Sequence, residues 1–215
     1  MNEQLEFVVR AAAIGTGATA VMDLWGLFLK RTLAIPPLDY AWVGRWIGHF
    51  PRGRFAHANI AQAPRIRGET PVGWVAHYAI GIVFAALLMA VWGLDWARDP
   101  TLLPALVVGM STVVAPFFIM QPAFGAGIAA SKTPNPSTAR LRGLITHLSF
   151  GVGLYAAALF SHTCSRSDTG RLRSAFRTQP QYFANAGAST KFKSETLPTR
   201  LRHPPLACTP PHLPL

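Results

Sequence analysis

The chain has 215 residues, of which half are hydrophobic and only 13% are charged, about half the charged share of a typical soluble domain. Lysine and arginine outnumber aspartate and glutamate by 20 to 9, for a formal net charge of +11. The excess charge is concentrated in one tail and accompanies no recognition fold, which argues against nucleic-acid binding. The two cysteines match no zinc or redox spacing, so they define no disulfide or zinc framework.

Four apolar segments approach or exceed the ~20 residues that a helix needs to cross ~30 Å of hydrocarbon. Most charged residues fall between them rather than within them. We therefore predict an all-α membrane protein in which residues 1–160 form a four-helix transmembrane bundle. The predicted spans are residues 7–29, 72–94, 102–124 and 143–160.

The first segment is predicted to be a retained transmembrane helix rather than a cleaved signal peptide. Glu3 and Glu6 stand where a signal peptide carries basic residues, and Asp23 interrupts the apolar run. This helix is therefore expected to belong to the bundle.

The connection after the first span contains a predicted short helix. Large apolar side chains recur at helical spacing over residues 39–50, and Asp39 is available as an N-cap. Because this segment is rich in tryptophan, which favours the membrane boundary, we expect the helix to lie at the interface. Its apolar positions are Trp42, Val43, Trp46, Ile47 and Phe50.

Arginines in the same connection are predicted to contact phospholipids. Arg45, Arg52 and Arg54 could reach anionic head groups of the inner leaflet. The alternative is a basic loop that only determines the topology. The lipid bilayer and these anionic lipids are the partners we expect, and homo- or hetero-oligomerisation stays open.

The distribution of lysine and arginine predicts the topology, because these residues are enriched in cytoplasmic loops. The second connection carries one such residue, Arg98, whereas the first carries seven and the third three. We therefore expect the first and third loops in the cytoplasm and the amino terminus outside. The counted residues are Lys30, Arg31, Arg45, Arg52, Arg54, Arg65 and Arg67 in the first loop and Lys132, Arg140 and Arg142 in the third.

Four polar residues inside the predicted spans form a candidate site. Ionisable groups within spans are costly, usually face the bundle interior and often carry function. Asp23, His77 and His147 are ionisable, and Gln121 is polar but uncharged. With the predicted topology, all four lie in the cytoplasmic half of the bilayer.

The helical period predicts that the three ionisable residues point inward. Each shares a helix face with small residues, which allow helices to approach closely. The third span shows no such face, because Pro116 and Pro122 interrupt its period. The small residues are Ala12, Gly15, Thr19 and Gly26 beside Asp23, Gly73, Gly81 and Ala85 beside His77, and Gly143, Gly151 and Ala158 beside His147.

Several roles are compatible with this polar cluster. The side chains could simply hydrogen-bond between helices. They could relay protons or ions, or hold a small polar substrate, since a carboxylate and two imidazoles exchange protons near neutral pH. Asp23, His77 and His147 are also candidate metal ligands, although no metal-binding motif on one helix supports this. No cofactor is indicated.

Two functions follow from these roles. The first is a small transporter or a subunit of a membrane complex that uses the polar cluster. The alternative is a membrane-embedded enzyme that acts on an inner-leaflet lipid, with the cluster supplying acid, base or ligands.

Residues 161–215 differ in composition from the rest of the chain. They are rich in Ser, Thr, Pro and Arg, lack a sustained period and carry +6 of the net charge, so we predict a disordered tail. Four spans would place this basic tail outside. The open explanations are that the tail is translocated regardless of its charge, that the fourth helix does not fully cross, or that the tail is not an evolved part of the protein.

Several motifs are shared with a known family. They are the runs at residues 22–25, 42–49 and 51–55, the Gly73-Trp74 and His77-Tyr78 pairs, and residues 116–122 leading to Thr133-Pro134-Asn135-Pro136. Over roughly residues 5–160 the chain resembles a family of small bacterial membrane proteins catalogued as domain of unknown function 2938. The resemblance implies a four-helix protein of the bacterial inner membrane and no particular activity. The tail lies outside the resemblance.

Overall fold

The computed structural model describes residues 2–177, with side chains described up to residue 163. The described residues form helices joined by turns, without a strand. Four helical segments are long and apolar enough to cross a membrane. The predicted all-α fold with four candidate transmembrane helices is therefore confirmed. The segments are Glu3–Leu33, Glu69–Trp92, Leu102–Ala123 and Pro136–Thr163.

Helix α1 (Glu3–Leu33) contains the first candidate span. The Asn2 side chain accepts a hydrogen bond from the Leu5 amide at 2.8 Å, which satisfies one of the free N–H groups of the first turn. The helix ends before Ala34, whose left-handed backbone reverses the chain. Asp23 therefore lies within a continuous helix.

Helix α2 (Tyr40–His49) confirms the predicted short helix. The Asp39 carboxylate accepts a hydrogen bond from the Ala41 amide at 3.0 Å, as an N-cap does. Short 3₁₀ turns follow at Phe50–Arg52 and Ile60–Gln62.

Helix α3 (Glu69–Trp92) is the second candidate span and packs closely on α2. A Cβ atom on Gly44 would overlap the Glu69 carbonyl, and one on Gly73 would overlap the Tyr40 carbonyl. Only glycine permits this backbone contact. It holds α2 against the first turns of α3, so α2 is part of the bundle's packing.

The connection after α3 is held to α1 by charged side chains. It contains helix α4 (Leu94–Arg98). Arg98 pairs with Glu6 at 2.8 Å, and Arg10 donates to the Ala97 carbonyl at 2.9 Å. The charge of Glu6 in the first turn of α1 is thereby matched at this end of the bundle.

The third candidate span is interrupted where the prolines predicted an irregularity. It consists of helix α5 (Leu102–Ser111), a π-helical turn at Pro116–Met120 and helix α6 (Gln121–Ala123). Pro116 has no N–H to continue the hydrogen-bond ladder, and the Gln121 amide instead bonds to the Pro116 carbonyl. Such turns are frequent at functional positions in helices.

Helix α7 (Pro136–Arg177) contains the fourth candidate span and extends beyond the boundary predicted at Phe160. No proline occurs between Pro136 and Pro180 to stop the helix, so the backbone ladder continues after the apolar composition ends. Residues 161–177 of the predicted tail belong to this helix. The rest of the predicted tail, residues 178–215, lies outside the described residues.

Small residues determine how the long helices approach one another. The backbones of α1 and α3 meet at Gly15 and Gly81, where added Cβ atoms would meet Ile82 Cα and Thr19 Oγ1. On the other side, Gly109 of α5 meets Gly151 of α7. The core between these contacts is apolar and includes the fully buried Ile14, Leu88, Met89 and Leu154.

Candidate functional site

The contact between α1 and α3 brings Asp23 and His77 together. Thr19 of α1 lies against Gly81 of α3. Asp23 is one turn further along α1, and His77 is one turn earlier on α3, so the antiparallel helices place the two side chains opposite each other. The glycine contact therefore determines the geometry of the polar pair.

Asp23 accepts hydrogen bonds from three side chains. His77 Nε2 lies 3.0 Å from Asp23 Oδ1. The Tyr40 hydroxyl donates to the same oxygen at 3.2 Å, and the Tyr78 hydroxyl donates to Oδ2 at 3.0 Å. The side chains of Asp23 and His77 are only 20% and 11% exposed. A carboxylate at this depth is stabilised by such donors, since a buried charge is otherwise costly.

Aromatic rings cover the pair on the side of α2. Tyr40 stacks on His77 with ring centroids 4.1 Å apart, and Trp74 lies 4.6 Å from Tyr40. Burial, followed by the Asp23 charge and the hydrogen bond to Asp23, raises the pKa of Tyr40 far above its ordinary value. Tyr40 therefore keeps its proton and acts as a donor to the carboxylate.

The Asp23–His77 pair joins a carboxylate to an imidazole. His77 Nε2 carries the proton that bonds to Asp23, because the carboxylate offers only acceptors. The chemistry available here is proton exchange between a carboxylate and an imidazole.

The structure does not bring His147 into this pair. Its Nδ1 lies 2.7 Å from Thr112 Oγ1, which also donates to the Gly109 carbonyl at 2.6 Å. Because the hydroxyl has one proton, its bond to Gly109 makes His147 Nδ1 the donor in the other contact. Among the described residues, His147 hydrogen-bonds to Thr112 rather than to Asp23 or His77.

Gln121 is likewise separate from the Asp23–His77 pair. Its Oε1 atom is buried and has no hydrogen-bond partner within the described part of the chain. Its backbone carbonyl accepts from the Ala126 amide at 2.9 Å and so fixes the turn after α6. The four predicted residues are thus divided among three separate contacts: Asp23 with His77, His147 with Thr112, and Gln121 with Ala126.

A metal centre is not assembled by the side chains that the structure describes. No group of three or more His, Cys, Asp or Glu residues within residues 2–163 is placed to bind an ion. Asp23 and His77 supply two candidate ligands, and His147 does not complete a set with them.

The prediction that Arg45 contacts head groups is wrong. Its side chain is only 4% exposed, and its Nε and Nη2 atoms each lie 2.8 Å from a Glu69 carboxylate oxygen. Nη1 donates to the Ile60 and Ala61 carbonyls at 2.9 and 3.1 Å. Glu69 raises the pKa of Arg45. Close packing of α2 on α3 turns Arg45 inward, where this pairing compensates its desolvation.

The other two arginines of that prediction, Arg52 and Arg54, are exposed. They follow α2, in the loop that leads to α3. Their predicted contact with lipid remains a proposal.

Sequence reasoning missed Tyr40, Tyr78, Thr112 and Glu69. Tyr78 directly follows His77, and Tyr40 directly follows the cap of α2, so both were adjacent to residues already identified. Their hydroxyls point at Asp23 only because of how three helices meet, which helical spacing within one segment does not reveal.

Comparison with known proteins gives one match. The model of a family described as "Protein of unknown function (DUF2938)" matches residues 12–161, well over half of the chain. No curated protein and no solved structure matches the chain. The matched range contains both halves of the Asp23–His77 pair.

Proposed function

Since the chain belongs to this family of proteins of unknown function, we propose from its own contacts that it is a small proton-coupled transporter of the bacterial cytoplasmic membrane. The observation that carries the proposal is the hydrogen bond between Asp23 and His77, which joins two candidate spans. Intramembrane pairs of this kind are typical of proton relays.

Protonation offers a way to couple the pair to helix movement. In the structure, Asp23 accepts hydrogen bonds from α3 and from Tyr40 of α2. A proton on Asp23 would remove the charge that holds these donors together and weaken the contact among the three helices. A change in protonation therefore biases their packing, as coupled transport requires.

The alternative is a membrane-embedded enzyme that uses the same pair as acid and base on an inner-leaflet lipid. It predicts lipid turnover without proton flux. A subunit of a larger assembly would show neither activity when purified alone.

Reconstitution separates these possibilities. Purified protein in liposomes with an imposed pH gradient should carry protons, measured with a trapped pH-sensitive dye, and Asp23→Asn should abolish most of the flux. Asp95→Asn makes the same chemical change at a side chain that is 91% exposed and outside the candidate spans, and it should leave the flux unchanged. Equal flux for Asp23→Asn and the wild type would refute the proposal.

A further inference from the structure

A basic groove lies between the end of α2 and the start of α3. Its volume is about 620 Å³, and it is lined by His49, Arg52, Arg54, Arg65 and Arg67 together with apolar side chains. These residues are separate from the Asp23–His77 pair and its donors. The arginines come from two short arms of the loop, one after α2 and one before α3.

The first arm, residues 52–54, is tied back to α2. Gly53 adopts a left-handed backbone with φ of 69°, which favours glycine, and its amide donates to the Phe50 carbonyl. The Arg54 amide donates to the His49 carbonyl at 3.3 Å. Arg52 and Arg54 thus project from a backbone that the end of α2 holds in place.

The second arm, residues 65–67, is tied to both helices. The Ile66 amide donates to Glu69 Oε2 at 3.0 Å, and the Ile66 side chain lies against Gly48 of α2. His49 Nε2 lies 3.0 Å from the Pro64 carbonyl. The groove therefore has two anchored walls, each of which carries a pair of arginines.

Within the described residues, no ion pair matches the positive charge of the groove. None of the ion pairs formed within the described residues includes Arg52, Arg54, Arg65 or Arg67. Glu69 is close by, but both of its carboxylate oxygens are bound to Arg45. Four arginines therefore line a single groove, and the Glu69 carboxylate is engaged by Arg45.

His49 provides a second, independent indication of a ligand. Its side chain is 2% exposed and lines the groove. Because the Pro64 carbonyl can only accept, Nε2 carries a proton. Nδ1 is buried and has no hydrogen-bond partner within the described part of the chain, although buried polar atoms are normally satisfied.

We propose that this groove binds a phosphate-bearing anion. Guanidinium groups match phosphate oxygens with paired hydrogen bonds, and two arms of arginines can grip one group from opposite sides. His49 Nδ1 can accept a hydrogen bond from the hydroxyl of a phosphate monoester. The ligand class is a terminal phosphate, carried either by a lipid head group or by a small soluble molecule.

Two probes distinguish the lipid from the soluble source. Full-length protein in uncharged detergent is titrated with inorganic phosphate by calorimetry. The same protein in phosphatidylcholine nanodiscs is tested for enrichment of phosphatidic acid. Both measurements use about 0.15 M salt, which screens diffuse surface charge. Saturable binding in either experiment supports the proposed site. The experiment in which binding occurs identifies the source of the phosphate.

Paired variants test whether the groove residues are responsible. Arg52→Gln with Arg54→Gln, and Arg65→Gln with Arg67→Gln, should each weaken binding at least tenfold. The control Arg31→Gln with Arg142→Gln removes the same charge from exposed positions outside the groove and should change affinity less than twofold. His49→Gln keeps a donor for Pro64 but lacks Nδ1, and it should also weaken binding several-fold.

Size-exclusion profiles and melting temperatures of every variant show whether it is folded. The two arginine pairs lie on separate arms, so either pair alone tests the proposal if the other is unstable. Absence of saturable binding in both experiments would overturn the proposal. Equal weakening of binding by the control pair would also overturn the proposal, because the effect would then depend only on net charge.

Discussion

Individual charged side chains in this protein are held by partners on other elements. Arg45 of α2 is paired with Glu69 of α3, and Asp23 of α1 with His77 of α3. Truncating one member of such a pair costs more than the pair itself contributes, because the remaining charge stays buried. The consequence can be measured most simply at Glu69.

Glu69→Gln should lower the free energy of unfolding by about 3 kcal/mol, since Arg45 would remain buried without its counter-charge. Glu3→Gln, which alters an exposed carboxylate, should cost almost nothing. Thermal unfolding of both variants provides the comparison. Replacing Arg45 by Met as well should recover much of the loss. Equal stability of the two single variants would contradict a buried pair.

The same residues show what could be predicted from the sequence. Asp23 and His77 were identified because an ionisable group in an apolar segment is expensive, a fact that one segment alone reveals. The head-group prediction for Arg45 fails because its neighbours in the chain are typical of an interfacial helix, whereas its partner lies 24 residues away. Helical spacing predicts an inward face for His147, and its partner Thr112 lies just after α5 in the third span. Helical spacing predicts the face of the helix on which a residue lies, whereas tertiary packing determines which residue it contacts.

At the scale of helices, close backbone contacts at glycine position the polar residues. Asp23 faces His77 because Gly15 and Thr19 allow α1 to lie directly on α3 at Gly81. The sequence predicted these small-residue faces and the cap of α2 by Asp39. It did not predict that α2 would pack on α3 through Gly44 and Gly73, since two glycines in separate segments carry no signal of their pairing.

Two glycines of α1 provide a matched test of this packing. Gly15→Ala places a Cβ 2.5 Å from the Ile82 Cα atom and should destabilise the bundle by about 1–3 kcal/mol, because backbone must move. Gly26→Ala meets only Pro37 Cβ at 3.4 Å and should stabilise α1 by up to about 1 kcal/mol. The melting temperatures of the two variants test whether α1 and α3 are in close contact. Similar shifts for both would show that α1 and α3 are not in close contact.

At the scale of the whole bundle, the basic residues that form no ion pair within residues 2–163 are concentrated at one end of the spans. The α4 end carries Arg98, which is paired with Glu6, while the opposite end carries the groove arginines. This asymmetry supports the proposed topology, with the first and third loops in the cytoplasm.

Reporter fusions can test that topology. A reporter inserted after Gly53, in the exposed part of the first loop, should be active only in the cytoplasm, and one inserted after Asp99 should be active only outside. If the two results are reversed, the groove and the Asp23–His77 pair would belong to the outer half of the membrane. The proposed contact with inner-leaflet lipids would then be wrong.

The central claim is that Asp23 and His77 act as one unit between α1 and α3, and a double-mutant cycle tests it most directly. The free energy of unfolding in lipid bicelles would be measured for the wild type, Asp23→Asn, His77→Gln and the double variant. The structure predicts that the double variant loses less than the sum of the single losses, with a coupling of about 1 kcal/mol or more. Losses that add to within about 0.3 kcal/mol would show that the two side chains do not interact.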